Sequence, residues 1–308
     1  MHSYKAFGLK IFSEIELPEL SIAEPCADFD LEIRIGSVEV SVPQKTPIYR
    51  RGIRAGFHQD EEGNLYIYWE GVANFKAVEG KLLIVSPLTD DPNLLSLFTV
   101  SEALGLILFQ KGYFLLHASA VKVGDEAWCF MGNPGAGKST TAAAFVKAGC
   151  NLLSDDLTAI GFTDSGEPFI VPAYPQLKLW DNTVNGLDYK RSDLEPVSEG
   201  INKFSYQPKA EFLHEPVMLK EIFFLNKARN RKPLERLPAT KIPTETIKHF
   251  PLPNQLLINE YLKNHFLQSF RCANNANMWS KRRPDGFTAL ENWVKQSIAL
   301  KVKAEQHD

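Results

Sequence analysis

Cysteines are few in this sequence, and they are not arranged to hold a metal or a disulfide framework. The four cysteines, Cys26, Cys129, Cys150 and Cys272, are far apart in a chain of 308 residues and form no CxxC or Cys/His cluster. We therefore expect neither a zinc site nor a fold that depends on disulfides. Cys129 lies in an apolar run and is expected to be a small core residue.

Long hydrophobic runs and an excess of positive charge are also missing. No window reaches the roughly 18 uninterrupted apolar residues of a membrane span, and the first twenty residues do not have the pattern of a signal peptide. The formal net charge of -3 provides no general basic field for nucleic acid or anionic lipid. We expect a cytoplasmic protein that binds neither nucleic acid nor a membrane, and homo-oligomer formation stays open.

Short alternating segments separated by Gly, Pro, Asn and Asp predict an antiparallel β module at the N-terminus. These segments are YKAFGLKIF, DLEIRIGSVEV, NLYIYWEG, NFKAVEG and KLLIVSP. An apolar helix is then expected to begin at Asp91-Pro92 and to end at Gly112. We place the β module in residues 1–92 and an α/β domain, α+β overall, in residues 93–308, with amphipathic helices in its C-terminal segment.

One stretch carries a recognisable chemistry. Its sequence matches the Walker A pattern G-x-x-x-x-G-K-[ST], with the strand-like EAWCFM before it and an Ala-rich helix after it. Backbone N–H groups of such a loop surround phosphate oxygens, and the helix N-terminus adds a partial positive charge. Lys138 is expected to reach the outer phosphates of ATP, and Ser139 to bind Mg²⁺. The predicted nucleotide-binding residues are Gly132, Asn133, Pro134, Gly135, Ala136, Gly137, Lys138, Ser139 and Thr140.

Two adjacent aspartates follow the motif closely. Asp155 comes seventeen positions after Lys138, which leaves room for one helix, a turn and a short strand. In many phosphate-loop switches and motors the corresponding acid comes after a much longer insertion. Here both acids lie at the carboxyl end of a strand, where open α/β sheets place their ligand groups.

Two carboxylates beside Mg²⁺ and ATP can divide metal binding and proton abstraction between them. The sequence does not decide which is the base, because like charge raises a pKa and a nearby metal lowers it. We assign the base to Asp155, support of the base to Asp156, and metal binding to Ser139 and Asp155. The alternative for the less engaged aspartate is that it caps the following turn.

Three further residues are candidates for the same site. His117 in YFLLHASAV is either a packed residue at a strand end or the hydrogen-bond partner of one aspartate. Lys178 in PQLKLW and Lys203 in GINKF are candidates for contacts to the transferring phosphate. The alternative for both lysines is a solvated surface position.

Together, LLHASAV, GNPGAGKST and AGCNLLSDDLTAI resemble the kinase core of the HPr kinase/phosphorylase superfamily, whose members resemble the nucleotide-binding part of phosphoenolpyruvate carboxykinase. The resemblance covers about residues 115–160. It implies that His117 pairs with an aspartate, that Lys138 and Ser139 hold phosphate and Mg²⁺, and that one of Asp155 and Asp156 is the general base.

The sequence also departs from that family. Thr140 stands where HPr kinase/phosphorylases have an acidic residue, and a stretch of the EIRGLG kind is missing, so phosphorolysis and HPr as substrate are not implied. The segments YKAFGLKIFSEIELPEL, PAYPQLKLW and FR…RRPDGF look more like HPr-kinase-related proteins of peptide biosynthesis clusters. Some of these resemble kinases that phosphorylate a serine hydroxyl, often the C-terminal one, of lasso peptide precursors.

The leading hypothesis is an ATP- and Mg²⁺-dependent serine kinase that acts on a peptide or small protein. A small-molecule kinase or a carboxykinase-like enzyme on the same core is the second hypothesis. A nucleotide-gated binding protein with little turnover is the third, and the aspartate pair argues against it, because a pure binder needs no positioned base.

Overall fold

The N-terminal part of the chain forms one nine-stranded sheet. The structure, a computed structural model, describes residues 1–39, 41–197, 202–208, 211–227 and 232–305. The strands are β1 (His2–Ala6), β2 (Leu9–Ser13), β3 (Ser21–Ile22), β4 (Leu31–Ile35), β5 (Gln44–Arg50), β6 (Ile53–Gln59), β7 (Leu65–Trp69), β8 (Ala73–Val78) and β9 (Leu82–Pro87). Their order in the sheet is β3-β1-β2-β4-β9-β8-β7-β6-β5.

This sheet corrects the sequence prediction in two ways. It is mixed and not purely antiparallel, because β4 runs parallel to both of its neighbours, β2 and β9. The β5–β6 hairpin was not predicted, since Pro47 and several polar residues interrupt its alternation. Its turn places Arg51 and Gly52 at φ 52° and 77°, the left-handed pair that suits a two-residue hairpin.

The predicted apolar helix is present and lies in the core. It consists of α1 (Pro92–Phe98), a π-helical turn (Thr99–Ala103) and α2 (Leu104–Gln110). The Asp91 side chain caps it by accepting from two backbone N–H groups of the first turn. Among the described residues, this helical stretch alone is long and apolar enough to cross a membrane, but 78% of its apolar window is buried inside the protein.

A second large sheet and a small one follow. The strands are β10 (Phe114–Leu116), β11 (Ala118–Val123), β12 (Glu126–Met131), β13 (Asn151–Ser154), β14 (Thr158–Phe162), β15 (Pro168–Val171), β16 (Leu177–Trp180), β17 (Leu194–Pro196), β18 (Lys203–Tyr206), β19 (Val217–Asn226), β20 (Leu234–Arg236) and β21 (Asn277–Arg282). The large sheet has the order β10-β14-β15-β19-β12-β11-β13, with β21 also beside β19 and β20 beside β21. Strands β16, β18 and β17 form the small sheet.

Five more helices complete the described part of the chain. They are α3 (Lys138–Lys147), α4 (Asp181–Gly186), α5 (Ile242–Lys248), α6 (Asn259–Asn275) and α7 (Phe287–Glu305), with short 3₁₀ turns at Arg191–Asp193, Ala239–Lys241 and Asn254–Leu256. Phe145 of α3 stacks on Phe130 of β12, and Trp293 of α7 packs edge-on against both rings. This aromatic cluster fixes α3, and with it the loop before α3, against the sheet.

Strand directions determine where the functional groups meet. β11 is antiparallel to both β12 and β13, so β12 and β13 point the same way, and β19 and β21 are parallel to β12. All four strands therefore end at one edge of the sheet, and β11 begins there. We call this the C-terminal edge.

The predicted division at residues 92 and 93 stays a prediction, and the two parts share one hydrophobic core. That core contains residues of the first sheet, the apolar helix and later segments such as Leu157, Val171 and Tyr174. Phe7 of the first part contacts Tyr174 edge to face, with ring centroids 6.1 Å apart. The N-terminal module is thus packed directly against the second part.

A buried histidine in this fold should make stability sensitive to acid. His265 is 4% exposed between Phe114 and Phe250, and burial lowers its pKa to about 4. The unfolded chain binds this proton near pH 6.5, so the stabilisation present above pH 6.5 is lost as the pH falls towards 4, by up to about 3 kcal/mol.

We expect His265→Gln to lose less stability than the wild type between pH 7 and pH 4.5. Denaturant unfolding of both proteins at each pH measures this difference, with pH 8 as the reference at which the ring is neutral in both states. Parallel pH profiles for the two proteins would contradict the assignment.

Candidate active site

The glycine-rich loop that matches the Walker A pattern connects β12 to α3 at the C-terminal edge. A Cβ atom at Gly132 would lie 2.7 Å from the carbonyl oxygen of Leu225, and Gly137 adopts a φ of 103° as the N-cap of α3. These two positions need glycine, because the first has no room for a side chain and the second has a left-handed backbone. Lys138 is buried and donates from Nζ to the Gly132 carbonyl at 3.0 Å, so its ammonium group lies over the loop.

A cavity of about 1070 Å³ opens beside this loop. It is large enough for a nucleotide, and its lining contains four cationic and two acidic side chains. These are Lys227, Arg236, Lys241 and Lys248, with Glu235 and Glu245. His249 also lines it, and burial followed by the charge of Lys138 lowers the pKa of this histidine to about 4, so its ring is neutral. The lining therefore suits an anionic ligand.

Asp155 lies at the end of β13 and is almost completely enclosed. Its Oδ1 accepts from the hydroxyls of Ser119 (2.6 Å) and Ser139 (2.8 Å), and its Oδ2 accepts from the backbone N–H of Lys178 (3.0 Å). Burial and then the charge of Asp156 raise the pKa of Asp155, and the three hydrogen bonds oppose that rise. The loop serine and the first aspartate are thus joined by a direct hydrogen bond.

Asp156 has a different environment. Its side chain is 27% exposed and faces His117 Nε2 at 3.4 Å, Arg50 Nη2 at 3.3 Å and Lys178 Nζ at 3.9 Å. Burial raises the pKa of Asp156, but the charges of Arg50, His117, Lys178 and Lys203 outweigh burial and hold it well below its ordinary value. Asp156 is therefore an ionised carboxylate at the surface of the site.

The backbone of Asp156 is in the left-handed region, with φ at 72°. The N–H of Leu157 donates to the carbonyl of Asp155 at 2.9 Å, which closes a three-residue turn around Asp156. Such a conformation is costly for an aspartate and persists only where the surroundings hold it. The two adjacent carboxylates consequently point to different sides of the site.

His117 immediately precedes β11, and its backbone N–H donates to the carbonyl of His249 at 2.7 Å. Burial lowers the pKa of His117, with Lys138 and Arg50 lowering it further and Asp156 opposing them. The side chain remains 42% exposed, so solvent screens these charges in part. An Nε2–H of this ring, whether the ring is protonated or neutral, can donate towards Asp156.

The remaining predicted residues also lie around the site. The Lys178 side chain is 4% exposed beside Asp156, and Lys203 lies close enough for its charge to lower the pKa of Lys138. Lys203 also lies over the ring of Trp180, at 5.5 Å from the centroid. Thr140 hydrogen-bonds to Thr183 of α4 at 2.8 Å, on the side of α3 that faces the small sheet.

Sequence reasoning missed several residues of the site. Arg50 comes from the unpredicted β5–β6 hairpin, where an arginine carries no distinguishing pattern. Glu102 pairs with it and had a readable signal, because a lone carboxylate in an apolar helix requires a cation. Ser119 also had a readable signal in the sequence, because it lies two positions after His117 and so shares a strand face with it. Arg283, by contrast, was a sequence candidate for contact with an acidic peptide terminus, with a solvated charge run as the alternative; it follows β21, and its Nη1 would be 2.9 Å from a Cβ atom at Gly137.

Comparisons with known proteins found a weak structural similarity. The chain matches no protein-family model and no curated protein. It is similar to a solved structure described as the Hpr(Ser) kinase/phosphatase from Coxiella burnetii, with 16% sequence identity, a TM-score of 0.26 and coverage of 50% of this chain and 97% of that one. A likeness at this level does not identify an activity.

Gly132→Ala should lower the affinity for Mg·ADP at least about tenfold, which is about 1.4 kcal/mol. The added methyl group would meet the backbone carbonyl of Leu225, which cannot rotate away as a flexible side chain would. Isothermal titration calorimetry measures the affinity.

Gly149→Ala is the matched control. Gly149 follows the other end of α3 at φ 98°, and no atom of the described residues lies within 4 Å of the added group. This variant should lose stability and keep its affinity. Equal affinity of Gly132→Ala and the wild type would show that nucleotide does not bind at this loop.

Proposed function

We propose that this chain is an ATP- and Mg²⁺-dependent kinase that transfers the γ-phosphate to a serine hydroxyl of a peptide or small protein. One observation carries the proposal: the phosphate loop and the two carboxylates meet at the C-terminal edge, where Ser139 joins Asp155 and Asp156 faces outward. A nucleotide switch needs the loop and a metal ligand. A second, differently placed ionised carboxylate is what a hydroxyl acceptor requires.

The residues present fit Mg²⁺. Ser139 and Asp155 offer a hydroxyl and a carboxylate oxygen, which are the hard donors that Mg²⁺ prefers. Among the described residues no group of three His, Cys, Asp or Glu side chains forms a metal cage. That pattern suits an ion that takes its other ligands from phosphate and water. When bound, Mg²⁺ would neutralise charge on the phosphates.

The surroundings of the two carboxylates favour Asp156 as the general base, in place of the Asp155 assigned from the sequence. Asp155 is 5% exposed, and its oxygens already accept three hydrogen bonds. Asp156 is ionised, partly exposed and borders a narrow cleft that also contains Tyr174 and Leu252. An acceptor hydroxyl entering this cleft would reach Asp156 before it reached Asp155.

In the proposed reaction, the serine oxygen forms a bond to the γ-phosphorus of ATP, the bond from that phosphorus to the β–γ bridging oxygen breaks, and ADP leaves. The hydroxyl proton passes to an Asp156 oxygen. His117 orients that carboxylate, and Lys138 and Lys178 stabilise the negative charge on the transferring group.

The acceptor we propose is the C-terminal serine of a lasso peptide precursor. This finer assignment is supported by the sequence resemblance of the segments YKAFGLKIFSEIELPEL, PAYPQLKLW and RRPDGF. The test is a purified precursor peptide ending in serine, incubated with the protein, ATP and Mg²⁺.

We expect mass spectrometry to show a gain of one phosphate on the C-terminal serine of that peptide. The same peptide with its terminal serine replaced by alanine should gain none. Phosphorylation of both peptides would show that the acceptor is a residue other than the terminal serine. Consumption of ATP with metabolites but not with serine peptides would instead favour a small-molecule kinase.

The two aspartates can be separated by substitution. Asp156→Asn should lower the rate of phosphoryl transfer by about 10² to 10⁴-fold, the usual contribution of a general base, while Mg·ADP still binds. Asp155→Asn should raise the Mg²⁺ concentration needed for half-maximal rate, because it weakens a metal ligand. Both rates are measured across a Mg²⁺ titration.

Asp188→Asn is the control, because Asp188 is exposed and also has a positive φ, of 57°. It should leave rate and Mg²⁺ dependence unchanged. If Asp156→Asn kept the full rate while Asp155→Asn abolished it at every Mg²⁺ concentration, the base would be Asp155.

A further inference from the structure

One side chain of the N-terminal module, that of Arg50, lies in the candidate active site. Arg50 is the last residue of β5, and its side chain is 9% exposed. Its Nη2 lies 3.3 Å from Asp156 Oδ2, across 106 positions of sequence. An arginine at a hairpin end would ordinarily extend into solvent, so a buried one that meets a carboxylate of another module needs an explanation.

Glu102 fixes the position of this arginine. Arg50 Nε donates to Glu102 Oε2 at 3.1 Å and Nη2 donates to Oε1 at 2.9 Å, which is the two-point geometry that a planar guanidinium allows. Glu102 lies in the π-helical turn of the apolar helix, directly after Ser101, whose φ of −90° and ψ of −114° are not helical. The helix is therefore distorted where it presents this carboxylate.

A buried ion pair seldom adds much stability, because desolvation of both charges offsets their attraction. Glu102 and Arg50 alone would join the two parts of the chain weakly. Asp156 is a third member of this group of charges. The Arg50 Nη2 that donates to Glu102 also donates to Asp156, whose backbone is held at φ 72°. Arg50 thus connects a rigid anchor to the one strained carboxylate of the site.

We propose that Arg50 is a positioning residue supplied by the N-terminal module, that it holds the Asp156 carboxylate towards His117, and that Glu102 holds Arg50 in turn. This inference rests on the proposed function for its kinetic consequence. It makes the site incomplete without the N-terminal β module, whose role the sequence left undefined.

The kinetic test compares Arg50→Gln, Arg50→Lys and the control Arg51→Gln in the full chain. Arg51 is the next residue of the same hairpin and is exposed. With the precursor peptide as acceptor, Arg50→Gln should lower kcat about 100-fold, the cost of a misplaced reacting group. Its KM for ATP and its affinity for Mg·ADP should change by less than about threefold. Arg50→Lys should recover part of kcat, and Arg51→Gln should match the wild type.

A double-mutant cycle tests the role of Glu102. If Glu102 acts through Arg50, then Glu102→Gln lowers kcat, and the double variant Arg50→Gln/Glu102→Gln is no slower than Arg50→Gln. Independent contributions to stability would instead add, and would appear in the melting temperature and not in kcat. If Arg50→Gln does not fold, the same cycle is measured with Arg50→Lys, Glu102→Gln and the double variant Arg50→Lys/Glu102→Gln.

A crystal structure of Arg50→Gln, or of Arg50→Lys if the first does not fold, gives a readout that needs no acceptor. The proposal expects Asp156 to leave its position 3.4 Å from His117. An unchanged Asp156 together with an unchanged kcat would overturn it. If Asp156 moves but the wild type phosphorylates no serine peptide, the positioning role stands and the proposed function fails.

Discussion

Two adjacent carboxylates, one buried and one partly buried, are the constraint on which the rest of this structure depends. A buried carboxylate is destabilising unless its oxygens meet hydrogen-bond donors or cations. The fold meets this requirement differently for each member of the pair. Asp155 is surrounded by two serine hydroxyls and a backbone N–H, whereas Asp156 is surrounded by a guanidinium, an ammonium and an imidazole. Two identical side chains therefore differ in state: Asp155 is enclosed, and Asp156 is ionised and accessible.

The sheet brings these partners to one place. Because β12, β13, β19 and β21 all end at the C-terminal edge and β11 begins there, groups from five strands meet without long loops. The glycine-rich loop follows β12, the carboxylates follow β13, and His117 precedes β11. Rigid strands and a helix fixed by aromatic packing hold these groups more precisely than loops would. The positive φ of Asp156 is the local strain that accompanies the arrangement.

Much of the site was readable from the sequence because its signals are local. The pattern from Gly132 to Ser139, the helix behind it and the short strand before Asp155 each depend on neighbouring residues. The apolar helix and its Asp91 cap were predicted for the same reason. The β5–β6 hairpin was not, because Pro47 and its polar residues hide the alternation of an edge strand. The parallel placement of β4 was missed because strand order depends on contacts between distant segments.

The sequence by itself determined that a Walker A match precedes a pair of carboxylates at the end of a strand, since motif and spacing are properties of a continuous stretch. Only the tertiary structure decided that Ser139 joins Asp155, that His117 faces Asp156, and that Arg50 and Glu102 enter from elsewhere in the chain. The reason is physical. The environment of a charge is set by everything within a few ångströms, and here those groups come from segments up to 106 positions apart.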